Sequence, residues 1–167
     1  MDFVLLDRIV ALDSGRVIRA TKNLSLAEEY LRDHFPGYPV MPGVMMLEAL
    51  VEAGCWLVRL QTNFAYSMVH LAEARNIKYG RFVTPGNTLE VVVRALNWAS
   101  GEARFAGQGT VEGQGAVSGR FRLRYYNLAD RDPRYRRIDE LVIGSARQRF
   151  QALGGQGLTA KDQDASS

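Results

Sequence analysis

MPGVMMLEALVEAGCWLV, running from Met41 to Val58, is the most apolar stretch of the chain and decides how the rest must fold. Pro42 suits the first position of a helix, where its missing N–H costs nothing, and from Val44 to about Leu60 only Gly54 interrupts helix-forming residues. The helix is apolar on nearly every face, and Glu48 and Glu52 are the only charges between Met41 and Val58. Such a helix has no polar side to offer water and must be wrapped by other structure. Two carboxyls near its middle would be costly in a bilayer, so the stretch reads as a buried core helix and not as a membrane span.

The flanking sequence supplies the wrapping. Leu5–Leu12 and Val17–Lys22 are short apolar runs on either side of the turn Asp13-Ser14-Gly15, the pattern of a hairpin. Ser25-Leu26-Ala27-Glu28 is a capping box and predicts a brief helix to about Arg32. His34-Phe35-Pro36-Gly37-Tyr38-Pro39-Val40-Met41-Pro42-Gly43 then holds three of the five prolines, which makes its backbone stiff and irregular. After the helix, Ser67–Phe82, Thr88–Trp98, Glu102–Val111 and Ala116–Tyr126 read as strands separated by Gly-rich turns, the spacing of an antiparallel meander. One long buried helix wrapped by an antiparallel sheet is an α+β arrangement. Residues 1–126 are expected to form this domain, 127–153 an extension with an amphipathic helix at Ile138–Leu153, and 154–167 a disordered polar tail.

With 47% hydrophobic and 23% charged residues among 167, the chain is a soluble globular type and not a disordered, collagen-like or coiled-coil protein. The net charge of +3 hides an asymmetry: Arg120 to Arg137 holds seven Arg against Asp130 and Asp132. Basicity confined to one segment, with no groove-reading motif, does not point to nucleic acid. Cys55 is the only cysteine, which excludes an intrachain disulfide, and its apolar setting reads as a small buried hydrophobe. The N-terminal residues lack the basic and apolar regions of a signal peptide, so the expected compartment is the cytoplasm. Two separated histidines and one cysteine give no metal-site spacing, and no phosphate-loop or dinucleotide fingerprint is present; no metal or cofactor is expected.

Chemistry concentrates on His34 and Glu48. An imidazole takes and returns protons near neutral pH, while a carboxyl in apolar surroundings rises toward neutral pH and can donate one. Glu48 sits on an otherwise apolar helix and His34 heads a loop rigid enough to fix its ring. Gly43 adds an amide at the helix N-terminus, where free N–H groups can receive a polarised carbonyl or oxyanion. Glu52, at i+4 from Glu48, places a second carboxyl on the same face, where like charges couple and raise one pKa.

The string from His34 to Val44, with Glu48-Ala49 on the helix that follows, resembles the active-site signature of the FabZ-type β-hydroxyacyl-acyl-carrier-protein dehydratases. The likeness extends more loosely from about Leu5 to Tyr126, including Phe82-Val83 and Pro85-Gly86 ahead of a strand. It implies a hot-dog fold. It also implies that His34 removes a proton from C2 of a 3-hydroxyacyl thioester, that Glu48 protonates or activates the departing 3-hydroxyl, and that the Gly43 amide polarises the thioester carbonyl. By the same resemblance the Val40 carbonyl orients the imidazole, no cofactor takes part, and His34 and Glu48 meet across a homodimer, with trimers of dimers common in the family. The chain differs from the family pattern at Glu52, where Gln is usual, at Asp33, where Gly is frequent, and at Lys78-Tyr79, where an Arg-Phe pair is frequent.

The reading is therefore a dehydratase of acyl-carrier-protein thioesters in fatty-acid or related lipid synthesis. Alternatives on the same fold are a non-catalytic acyl-thioester-binding or scaffold protein and an acyl thioesterase. Carrier proteins are usually acidic, which makes Arg120, Arg122, Arg124, Arg134, Arg136 and Arg137 candidates for carrier docking.

Overall fold

Alternating side chains build the sheet. In the computed structural model, which describes residues 4–158, six antiparallel strands run β1 Arg8–Asp13, β2 Val17–Asn23, β3 Met68–Tyr79, β4 Thr88–Ala99, β5 Glu102–Val111 and β6 Gln114–Tyr126. Their order across the sheet is β1-β2-β4-β5-β6-β3. Ile18 and Ala20 of β2, Leu89, Val91 and Val93 of β4, Ala103 and Phe105 of β5, and Phe121, Leu123 and Tyr125 of β6 are all buried, every second residue along each strand. Phe105 and Phe121, paired across β5 and β6, stack with ring centroids 5.5 Å apart.

Helix α1, Gly43–Gln61, lies against this inner face, in contact with β2 to β6, and Ala49, Leu50, Ala53, Leu57 and Val58 are fully buried. Gly54 sets the depth of the contact: a Cβ there would stand 2.8 Å from the Phe121 ring. A long central helix wrapped by an antiparallel sheet is the hot-dog arrangement expected from the sequence.

Several local expectations are corrected. The capping box at Ser25 opens no α-helix, only a 3-10 turn at Glu29–Leu31. The Ser25 hydroxyl accepts from Ala27 N at 3.2 Å, but the Glu28 carboxylate accepts from the buried Lys22 ammonium and not from the Ser25 N–H. Pro42 is the cap and not the first helical residue: its carbonyl accepts from Met45 N and Met46 N, and α1 starts at Gly43. Strand β3 ends at Tyr79, short of Phe82, although Gly80 and Arg81 still donate to Ala116 and Gly115. Strand β6 begins at Gln114 because a tight turn at Glu112-Gly113, both with positive φ, brings the chain back two residues early.

The extension after residue 126 is part of the same core. Two 3-10 turns lead into α2, Arg136–Ala152, two residues earlier than the apolar pattern indicated. Asp139, 5% exposed, holds the connection: it accepts from Leu128 N at 3.0 Å, Ala129 N at 2.9 Å and the Ser67 hydroxyl. Phe150 packs between Trp56 and Phe64, each 5.9 Å away between ring centroids. Ile9 N of β1 donates to Leu153 O at 2.9 Å, which ties the outer strand to the end of α2. Of the tail expected to be disordered, residues 154–158 form a turn and a helical turn with Gly155 buried; residues 159–167 lie outside the described part.

Phe150→Ala should therefore lower unfolding free energy by about 3–5 kcal/mol, the cost of a large aromatic lost from a packed core. Denaturant melts should show one transition at a lower midpoint. A midpoint unchanged from the parent would mean that α2 contributes nothing to the domain.

Candidate active site

The proline-rich loop is held at its far end and strained at its near end. Val40 and Met41 are buried, and Met41 N donates to Val83 O at 2.8 Å, which pins the loop to the segment following β3. Phe35, next to His34, adopts φ +51° and its carbonyl accepts from Tyr38 N at 2.8 Å in a tight turn. A non-glycine residue in this left-handed region is uncommon and stores strain beside the histidine. No sequence signal marked Phe35. The His34 ring is half-buried and edge-on to Phe35, centroids 4.6 Å apart.

Gly43 is the first residue of α1, so its amide is among the helix's leading N–H groups without an intrahelical acceptor. A side chain there would displace the Tyr79 ring at the end of β3, since a Cβ would lie 2.9 Å from it. Tyr79 stands where the family pattern has another aromatic and covers the helix N-terminus.

Glu48 follows one and a half turns along α1 and is half-buried. Burial, and then the charge of Glu52, hold its carboxyl above the ordinary carboxylate range. That is the direction required of a proton donor. Glu52, more deeply set, accepts from Leu5 N at 2.9 Å and Leu6 N at 3.0 Å, fastening the N-terminal segment to the helix. Its carboxyl is raised by burial, while the two amides, the Arg149 guanidinium and the nearby Trp56 indole favour the ionised form; the indole N–H stays outside hydrogen-bond geometry. The anchoring of Leu5 and Leu6 spans more than forty residues of sequence and had no local signal.

Among the described residues no hydrogen bond joins the His34 imidazole to the Glu48 carboxyl or to the Val40 carbonyl. Around the loop, Phe35, Tyr38, Val44, Tyr79 and Phe82 leave half or more of their surface exposed, an apolar patch beside the candidate acid and base. Strand β3, one of the two edges of the sheet, is twelve residues long.

The arginine candidates divide by partner. Arg122 is engaged by Glu102 at 2.8 Å and Glu73 at 3.7 Å, and Arg134 by Asp132 at 2.6 Å. Arg120, Arg124, Arg136 and Arg137 are exposed and have no ion pair among the described residues. The strand register adds two residues that sequence order kept apart: Arg75 of β3 stands opposite Arg120, and Arg104 of β5 opposite Arg122. His70 is exposed, 5.7 Å from the Tyr126 ring, and Cys55 is a half-buried thiol pushed up to about 12 by the loss of water around its sulfur, neither near a metal-binding cluster. No group of His, Cys, Asp or Glu among the described residues could hold a metal ion, and no described helix is long and apolar enough to cross a membrane.

Comparison with known proteins gives a consistent picture. A protein of Pelotomaculum thermopropionicum named 3-hydroxyacyl-[acyl-carrier-protein] dehydratase FabZ is 41% identical over 106 residues, 62% of this chain and 76% of that protein. A protein of the same name from Oenococcus oeni is 36% identical over 115 residues, 69% of this chain and 83% of the relative. One from Wolbachia pipientis wMel is 39% identical over 87 residues, 61% of its own length. Among solved structures, the dehydratase heterocomplex ApeI:P from Xenorhabdus doucetiae superposes with a TM-score of 0.61 at 19% identity, over 76% of this chain and 86% of that one. A hypothetical thioesterase with coenzyme A from Streptococcus pneumoniae TIGR4 superposes at 0.57 and 8% identity, over 71% and 84%. These likenesses show the fold, which hosts more than one chemistry. The family model described as a FabA-like domain matches residues 1–120, from the N-terminal segment through the histidine loop and α1 into β6, and on that match the chain belongs to the FabA-like family.

Proposed function

We propose that the protein removes water from 3-hydroxyacyl chains carried on acyl-carrier protein, giving trans-2-enoyl thioesters for fatty-acid or related lipid synthesis in the cytoplasm. The observation that carries this reading is the pairing in one sequence of a rigid histidine loop with Glu48, a carboxyl held above its ordinary range by burial and a neighbouring charge. Among the family's relatives, the dehydratase name at 41% and 36% identity supports the same chemistry.

His34 takes the C2 proton, the electron pair left on C2 forms the C2–C3 double bond, and the C3–O bond breaks as Glu48 donates its proton, so that water leaves. The Gly43 amide stabilises the charge that develops on the thioester oxygen. Proton return from His34 to Glu48 through solvent resets the site. His34→Ala and Glu48→Gln should each lower kcat/KM by about 10²–10⁴, the usual contribution of a general acid or base. The assay follows conjugated enoyl absorbance, or hydration in reverse. Turnover surviving His34→Ala would remove the assigned base, and release of free thiol in place of enoyl product would favour the thioesterase reading.

No hydrogen bond joins His34 to Glu48 within one chain among the described residues, and the exposed apolar patch with the free edge of β3 supports a dimer in which His34 faces the partner's Glu48. Closure there would also bring the Val40 carbonyl into use as acceptor for the second imidazole N–H. Trimers of such dimers would extend the same arrangement. Mixing inactive His34→Ala and Glu48→Gln chains under exchange should restore about a quarter of wild-type activity, since half the dimers are mixed and each mixed dimer has one intact site. No recovery despite proven exchange would place both groups in one subunit.

The carrier is acidic in this reading, and Arg120 and Arg124, together with Arg136 and Arg137, are the unpaired cations offered to it; Arg122 and Arg134 are occupied by acids. Raising salt should slow reaction of the carrier-bound substrate more than that of a small thioester analogue. Charge reversal of Arg120 and Arg124 should raise KM for the carrier-bound substrate alone. Identical salt dependence for both substrates would remove the docking surface.

A further inference from the structure

Two carboxyls share one turn of α1, and they are treated differently by what surrounds them. Glu52 accepts two backbone N–H groups, from Leu5 at 2.9 Å and Leu6 at 3.0 Å. Glu48 has no hydrogen-bond donor among the described residues. Burial favours the proton on both carboxyls; at Glu52 the two amide donors and the Arg149 guanidinium oppose it, whereas at Glu48 no donor among the described residues does. Spacing of i and i+4 puts the two Cβ atoms about 5–6 Å apart, close enough that one negative charge opposes a second.

We propose that Glu52 is a positioning residue for the acid step: fixed by the Leu5 and Leu6 amides one turn from Glu48, its negative charge keeps the transferable proton on Glu48. The inference rests on the dehydratase reading for its consequence in turnover, but the charge coupling itself does not.

The charged and titratable groups facing the pair are few. On α1, Cys55 is a neutral thiol, and Arg59 spends its guanidinium on the carbonyls of Tyr66 and Ser67. From α2, Arg149 faces Glu52 and favours its ionised form. The N-terminal segment contributes the two amides at Glu52. In the proposed dimer the partner's His34 would face Glu48. The pair therefore carries one proton between two unequal sites: Glu52 gives up its proton first, and the second dissociation, against the existing charge, belongs to Glu48. Leu5, Leu6 and Arg149 thereby act on the reaction from residues that touch no substrate.

Carboxyl titration by NMR on protein labelled with ¹³C at the glutamate side-chain carboxyl tests this directly, with Glu48→Gln and Glu52→Gln assigning the two signals. In the wild type Glu52 should titrate before Glu48. In Glu52→Gln, whose amide oxygen can still accept from Leu5 and Leu6, the Glu48 midpoint should fall by about one pH unit, the size of a strongly coupled pair. The alkaline limb of kcat/KM on a small 3-hydroxyacyl thioester should move down by the same amount, an approximately tenfold loss above the limb with the low-pH rate unchanged. A Glu48 midpoint that does not move, or a wild type in which Glu48 ionises first, overturns the proposal. The wild-type order decides the matter even if Glu52→Gln does not fold. A midpoint that shifts in a protein with no turnover overturns the assigned reaction and supports the coupling.

Discussion

The structure depends on keeping water away from every side of a helix that has almost no polar surface. Five strands of the sheet cover one half of α1, and the closeness of that cover is set by Gly54 against Phe121. The other half is shared between the N-terminal segment, clamped to Glu52, and α2, whose Phe150 fills the space beside Trp56 and Phe64. What stays uncovered in one chain is the ring of apolar side chains around the histidine loop. Packing and the candidate chemistry therefore converge on the same part of the helix: the exposed apolar side chains lie at the end that carries Gly43 and Glu48.

Much of this was legible in residues read locally. The hairpin turn at Asp13-Ser14-Gly15, the irregular proline loop, the central helix and the strand alternation in Arg120-Phe121-Arg122 each follow from short-range rules, and the structure agrees with them to within a few residues. Failures occurred where a distant group outbid a near one. Lys22 drew Glu28 away from its capping box, and Asp139 gathered donors from Ser67, Leu128 and Ala129, so an extension with a weak pattern became part of the core. The candidate acid and base were found because their residue types and spacing are local; the strain at Phe35, the cover of Gly43 by Tyr79 and the amide clamp on Glu52 were not, since each exists only after the sheet has formed.

The same distinction applies to charge. A run of arginines in sequence suggested one basic segment, yet in the sheet Arg122 is engaged by Glu102 and Glu73, Arg75 arrives from β3 paired with the same Glu73, and Arg104 arrives from β5. Register, and not sequence proximity, decides which cations share a face. Because that face is basic across several strands, stacking it against its own copy would oppose like charges, which favours leaving it to solvent or to an acidic partner.

The bond from Ile9 N to Leu153 O joins the first strand to the end of the last helix. On a ribosome, β1 emerges early and must wait until the residue that satisfies its edge has been made, more than one hundred and forty positions later. Contacts of such long sequence separation slow folding, and until they form, β1 presents an open edge and Trp56 an uncovered flank. The helix that strengthens the finished domain thus also lengthens the interval in which the nascent chain is vulnerable to association through that edge.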